Sequence, residues 1–231
     1  MASYAVPLMK TPAIPIADSS DLFPVHRIFC VGRNYAEHAR EMGMDSNRES
    51  PFFFMKPNSA ILPNGADFPY PSKSDNVHFE IELVVALGKG GRDITPSNSH
   101  DHIFGYACGL DMTRRDLQSE MKKNGRPWEI SKAFDSSAPC SEIYPASKIG
   151  HPSSGALSLK VNGQTKQKGN ISDMSWNVAE IIAHLSGYFK LQAGDIIFTG
   201  TPAGVGPIIP GDVMEGCIDG VGSLTVKVVA S

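Results

Sequence analysis

The sequence predicts an α+β protein built mostly of short strands with few helices, and three observations carry that prediction. Phe79, Ile81, Leu83, Val85 and Leu87 alternate at period two, the pattern of a strand. The 22 Gly and 17 Pro among 231 residues demand frequent turns, which suits short strands better than long helices. The clearest helical stripe lies in residues 175–186, where Val178, Ile181, Ile182 and Leu185 share one face.

A chain of this length supports one generous domain with ample core. We expect an N-terminal arm over residues 1–20, with Ile14 and Ile16 able to pack on the body, and a single domain over residues 21–231. Hydrophobic content of 41% and charged content of 19% are those of an ordinary soluble protein. A formal charge of -3 gives no electrostatic reason to expect nucleic acid or an anionic membrane as partner. No apolar run approaches the roughly 20 residues of a membrane helix, and residues 1–20 lack the form of a signal peptide. Cys30, Cys108, Cys140 and Cys217 are widely spaced without a CxxC pair. Free thiols in a reducing compartment explain them best, so a cytoplasmic location is expected.

In chain order, residues 27–32 read as a short buried strand that runs into a helical stretch over residues 33–43. Asn34 can cap that helix and Gly43 can end it. Residues 51–57 form an intensely apolar strand ending in Lys56, and the prolines at 57, 63, 69 and 71 describe a looped approach to the next strand. Residues 78–88 are that strand, and residues 103–111 are another that ends in Asp111. A helix is expected over residues 112–124, followed by a mostly uncharged run containing Lys132. Residues 157–164 enter an Asn162-Gly163 hairpin turn. A buried strand at residues 194–198 leads into a Gly-rich turn, which can offer N–H groups and two hydroxyls to an anion but lacks the phosphate-loop pattern. Residues 212–230 read as two closing strands. His100, His102 and His184 read as surface residues.

The chemistry gathers on the central strand. The alternation that buries Phe79 and Ile81 puts Glu80 and Glu82 side by side on the opposite face, where Val84 and Ala86 follow. Adjacent carboxylates repel unless a cation or proton lies between them. They are either the charged half of an amphipathic strand or two ligands of a divalent cation. Asp111, at a strand-to-helix junction, is either a helix cap or a third ligand. Three hard oxygen ligands favour Mg²⁺, Mn²⁺ or Ca²⁺ over zinc. His38 and Glu41 sit three apart on a helix, either as a solvated pair or as a carboxylate-oriented base.

Several ordered motifs resemble the fumarylacetoacetate hydrolase family across residues 24–230. They are Val31-Gly32-Arg33-Asn34-Tyr35, Phe54-Met55-Lys56-Pro57, Glu80-Ile81-Glu82-Leu83 and Gly109-Leu110-Asp111-Met112-Thr113. Further on come Arg114-Arg115-Asp116-Leu117-Gln118, Lys132-Ala133-Phe134 and the run Thr199-Gly200-Thr201-Pro202-Ala203-Gly204-Val205-Gly206. The resemblance implies a predominantly β fold, a mixed β-sandwich roll with a few short helices, acting as a homodimer. It implies a Mg²⁺ or Mn²⁺ site on Glu80, Glu82 and Asp111, with Ca²⁺ as a third candidate. His38 and Glu41 match a water-activating dyad on a lid helix, and Lys132 matches a lysine that stabilises developing negative charge. Arg33, Lys56, Arg115, Gln118 and Thr201 match residues at the substrate site.

The implied substrates are acylpyruvates, 2,4-dioxo acids cleaved at a carbon–carbon bond. The block Arg40-Glu41-Met42-Gly43, with residues 48–54 after it, looks most like members that cut fumarylpyruvate to fumarate and pyruvate in gentisate breakdown. Two rival activities use the same metal-enolate chemistry. One is oxaloacetate decarboxylation, and the other is isomerisation and decarboxylation in homoprotocatechuate breakdown. The dyad favours hydrolysis, because decarboxylation needs no activated water. A non-enzymatic metal-binding protein would leave His38, Glu41 and Lys132 without a purpose.

Overall fold

The computed structural model describes residues 4–36 and 50–231. The chain opens on β1 (Ala13–Pro15) and β2 (Leu22–Pro24), an antiparallel pair. β3 (Ile28–Gly32) and β4 (Phe52–Lys56) follow, then the short β5 (Ile61–Pro63), β6 (Phe68–Pro69) and β7 (Val77–Phe79). β8 (Ile81–Leu87) and β9 (Ile103–Leu110) are the long central strands. After β10 (Thr113–Arg114) come helix α1 (Arg115–Lys123) and the single turn α2 (Glu129–Lys132). β11 (Ala138–Cys140), β12 (Tyr144–Pro145) and α3 (Ala146–Ile149) precede the hairpin of β13 (Ala156–Val161) and β14 (Gln164–Asn170). Helix α4 (Val178–Tyr188), β15 (Ile196–Phe198) and β16 (Gly206–Ile208) lead to the closing hairpin of β17 (Val213–Ile218) and β18 (Gly222–Val229). No helix among the described residues is long and apolar enough to cross a membrane.

The larger sheet runs β4-β3-β15-β8-β9-β11-β5 with β12 added beside β9, and it mixes parallel and antiparallel pairs. A second sheet, β14-β13-β17-β18-β6, packs against β8 and β9. Alternation along β8 serves both faces. Ile81, Leu83, Val85 and Leu87 enter the main core with Leu157, Leu159, Met214 and Leu224 from the second sheet. Val84 and Ala86 enter a smaller core with Cys30, Ala107, Phe198 and the N-terminal Ile14. A strand covered on both sides has no solvated face, so carboxylates at its start must find partners inside the protein.

The strand expected over residues 78–88 divides at Glu80. β7 belongs to a small sheet with β10 and β16, whereas β8 belongs to the large one. Glu80 is the crossing point. Its carbonyl still accepts from Asp111 N–H at 2.8 Å, but Ile81 N–H turns to the side-chain oxygen of Gln167 at 2.9 Å.

The helix expected over residues 112–124 begins only at Arg115, because Thr113 and Arg114 pair with His78 and Val77 of β7. Asp111 is therefore not a helix cap: the cap position falls to Arg114, which makes no side-chain capping bond. α4 runs two residues later than its expected end and carries a reciprocal cap between Asn177 and Glu180. The Asn162-Gly163 turn is present, with φ of 51° and 76°, the left-handed pair that a two-residue hairpin needs.

Within the stretch expected as an arm, residues 4–11 are exposed while Ile14 and Ala17 are buried. Ile16 bridges to Ile143. All four cysteines are free, and Cys30, Cys108 and Cys140 are buried.

Candidate active site

Three strand features bring the carboxylates together. Glu80 stands where the chain changes sheets, Glu82 is the second residue of β8, and Asp111 follows the last residue of β9. Antiparallel pairing sets Ile81 opposite Leu110 and so brings Asp111 beside Glu80. Ligand oxygens of Glu80, Glu82 and Asp111 lie within 4.8 Å of one another, and all three residues are buried.

Cations surround them. Lys132 Nζ donates to Glu80 Oε2 at 2.8 Å and to Asp111 Oδ2 at 2.7 Å. Arg115 pairs with the other Glu80 oxygen and donates to Gln118 Oε1 at 2.5 Å. Burial alone would pull the Lys132 ammonium down, but Asp111 and Glu80 more than offset it, so its affinity for the proton is raised. Lys132 is thus a fixed positive charge.

Among the described residues no cation pairs directly with Glu82, which takes an N–H. Gly200 N–H donates to Glu82 Oε2 at 2.7 Å. Only glycine suits that position, since its φ is 99° and a Cβ there would come within 2.7 Å of Asn34 Cβ. Burial, then the Asp111 and Glu80 carboxylates, push the Glu82 carboxyl well above its ordinary range. The Gly-rich turn therefore serves an internal carboxylate. Its two hydroxyls are also used internally: Thr199 donates to Leu83 O at 2.9 Å and Thr201 to Ile81 O at 2.7 Å.

The donor set fits a divalent cation. Asp111 Oδ1 is buried with no aligned donor, although Lys56 Nζ stands 2.8 Å away. Three carboxylates sharing so small a volume are the hard-oxygen arrangement that Mg²⁺, Mn²⁺ or Ca²⁺ accepts.

A cavity of about 30 Å³ opens beside this cluster. Of the residues predicted at the site, its walls include Arg33, Glu80, Glu82, Asp111, Arg115, Gln118, Lys132 and Thr201. Lys56 is not on the wall. It is buried behind Asp111, with its ammonium donated to the carbonyls of Met112 and Lys132, so it braces the site from behind. The predicted His38 and Glu41 lie outside the described residues. The helix that Asn34 was expected to cap also lies outside them; among the described residues the Asn34 side chain ties the chain down, donating to Trp176 O and Thr199 O and accepting from Trp176 N–H.

Some contributors had no role in the sequence reading. Gln167 is buried, holds Ile81 N–H and donates to Thr201 Oγ1 at 2.8 Å. Nothing in the hairpin sequence marks it. Lys122, Trp128, Phe52 and Phe54 also line the cavity. Lys122 reads in sequence only as part of the stretch that closes its helix, while the aromatic cluster at residues 52–54 was a visible signal.

Residues 27–229 match the family described as fumarylacetoacetate (FAA) hydrolase, C-terminal. The chain belongs to the fumarylacetoacetate hydrolase family. Its fold is that family's, mostly strands in curled sheets, and the chain is an enzyme of the family. A fumarylpyruvate hydrolase from Pseudomonas aeruginosa, solved in complex with Mn²⁺ and pyruvate, is 51% identical to it. That match covers 99% of this chain and 100% of the other, with a TM-score of 0.96. A fumarylpyruvate hydrolase from Ralstonia sp is 44% identical over 185 residues, covering 80% of this chain and 96% of that relative. A mitochondrial oxaloacetate tautomerase from Mus musculus is equally similar, 46% identical over 201 residues and covering 87% and 90% of the two chains. Family membership therefore leaves two reactions in view.

Proposed function

We propose that this enzyme is a metal-dependent hydrolase of acylpyruvates that cleaves fumarylpyruvate to fumarate and pyruvate. One observation carries the reading: a buried Glu80, Glu82 and Asp111 cluster shares its cavity with Lys132, Arg115 and Gln118. Similarity to a fumarylpyruvate hydrolase solved with Mn²⁺ and pyruvate supports it. Glu80, Glu82 and Asp111 would hold Mg²⁺ or Mn²⁺. When bound, such an ion supplies Lewis-acid stabilisation of negative charge and a template for a chelating dioxo acid.

The remaining work falls to side chains. Arg115 and Gln118 bind the substrate's oxygens from the cavity wall. His38, oriented by Glu41, takes a proton from water as the water oxygen adds to the distal carbonyl. The resulting oxyanion collapses and breaks the bond to the methylene carbon, leaving fumarate and the enolate of pyruvate. The enolate then takes a proton at that carbon. An enolate leaves readily only where its charge is met, and Lys132 presents a permanently charged ammonium at the cavity. The same reading takes the enzyme as a cytoplasmic homodimer serving aromatic breakdown, supported by the family resemblance and by its four free cysteines.

A second reading, oxaloacetate tautomerisation, is favoured by relatives of equal similarity that bear that name. It needs an enolate site but no activated water. His38→Ala separates the two. Under the hydrolase reading, cleavage of fumarylpyruvate falls by roughly 10²–10⁴-fold, the worth of a general base. Conversion of oxaloacetate that survives His38→Ala, in an enzyme whose unaltered form cleaves no fumarylpyruvate, would favour the second reading.

A further inference from the structure

The charges around the cavity are not evenly answered. At its buried end each cation has an acidic partner: Lys132 with Glu80 and Asp111, Arg115 with Glu80. At its open end stand Arg33, exposed, and Lys122, half-buried. Among the described residues neither has a carboxylate partner. Each instead lies over an aromatic ring. Lys122 Nζ is 5.1 Å from the Trp128 ring centre, and Arg33 Cζ is 5.7 Å from that of Phe52. Phe52 and Trp128 meet edge to face at 5.0 Å, so both cations stand on one aromatic wall.

Both cations are held there at a cost. Arg33 adopts a left-handed backbone with φ of 62°, uncommon for a residue with a side chain. Phe52 lies over Gly32, where a Cβ would come within 2.0 Å of the ring. Burial, then the charges of Arg115 and Arg33, pull the Lys122 ammonium down to about 8. Glu80, the acid nearest to them, is already shared by Arg115 and Lys132, so Lys122 and Arg33 leave positive charge at this end that favours an arriving anion.

We propose that Lys122 and Arg33 form a subsite for a second carboxylate, carried on the far end of the acyl chain. Phe52 and Trp128 would flank the flat, unsaturated carbons between the two ends. The site would then select acylpyruvates that are dicarboxylic acids over those ending in a methyl group. This rests on the acylpyruvate reading above and adds to it the reason one acyl group is preferred.

The test uses the Mn²⁺-loaded enzyme and compares fumarylpyruvate with acetylpyruvate, which lacks the distal carboxylate. A hydrogen bond to a charged group implies that Lys122→Met lowers kcat/KM for fumarylpyruvate roughly 10- to 100-fold more than for acetylpyruvate. The loss should fall mainly on KM, and Lys122→Arg should recover most of it. Equal losses on both substrates, or a loss confined to kcat, would overturn the proposal. Product inhibition gives a readout independent of turnover. Fumarate should inhibit or bind the Lys122→Met enzyme at least about tenfold more weakly, while pyruvate binding moves less. Unchanged fumarate affinity would overturn the proposal. Should the unaltered enzyme cleave neither acylpyruvate, the reaction assignment fails, and fumarate binding to the Mn²⁺-loaded protein still decides the role of Lys122.

Discussion

The two ends of the cavity are built differently. Its floor stands on the ends of two central strands, with three buried carboxylates fixed by Lys132, Arg115, Lys56 and the Gly200 N–H. Its mouth stands on a left-handed residue and the last turn of α1, with cations that answer no described acid. A rigid, internally paired floor suits chemistry common to many substrates, because preorganised charge needs no rearrangement during reaction. An exposed mouth can change its side chains without disturbing the core. On the reading proposed above, the floor would account for the reaction and the mouth for the choice of substrate.

The largest effect should come from breaking the floor. Glu82→Gln removes a proposed ligand and keeps the Gly200 contact. Turnover should fall about a thousandfold or more, since metal stabilisation is worth several kcal/mol. Turnover that survives both the substitution and a chelator would remove the ligand assignment. Lys132→Met should come next, with a loss in kcat of roughly 10²–10³-fold and a smaller change in KM, as for removal of an oxyanion donor. A loss confined to KM would make Lys132 a binding group only. Lys122→Met at the mouth should cost less and only for a dicarboxylic substrate.

The smallest effect concerns stability. Glu82 binds its proton more tightly folded than unfolded, so the metal-free protein loses stability as pH rises from the ordinary carboxylate range towards the raised value. A bound cation favours the ionised form, so the rise in Tm on adding Mn²⁺ should grow as pH increases through that window. A Tm shift that shrinks with rising pH would contradict the pairing of Glu82 with the ion.

Much of the floor was legible because it is written locally. Alternation alone puts Glu80 and Glu82 on one face, and Asp111 ends a strand that the apolar run from Ile103 makes plain. What was hidden depends on distant partners. Glu80 marks a change of sheet only because β16 captures β7, and Thr113 and Arg114 leave the helix because β7 pairs with them. Gln167 reaches Ile81 across a sequence separation of 86 residues, which no local pattern signals. Lys56 looked like a substrate contact at a strand end, yet its carbonyl partners arrive from residues 112 and 132. Lys122 gained meaning only once Trp128 and Arg115 were beside it.

The most direct test of the account is steady-state turnover of fumarylpyruvate, acetylpyruvate and oxaloacetate side by side, with Mn²⁺ present and after its removal by a chelator. The account predicts that kcat/KM is highest for fumarylpyruvate, that one fumarate and one pyruvate form per substrate cleaved, and that activity is lost without the metal. Conversion of oxaloacetate with no cleavage of either acylpyruvate would contradict it.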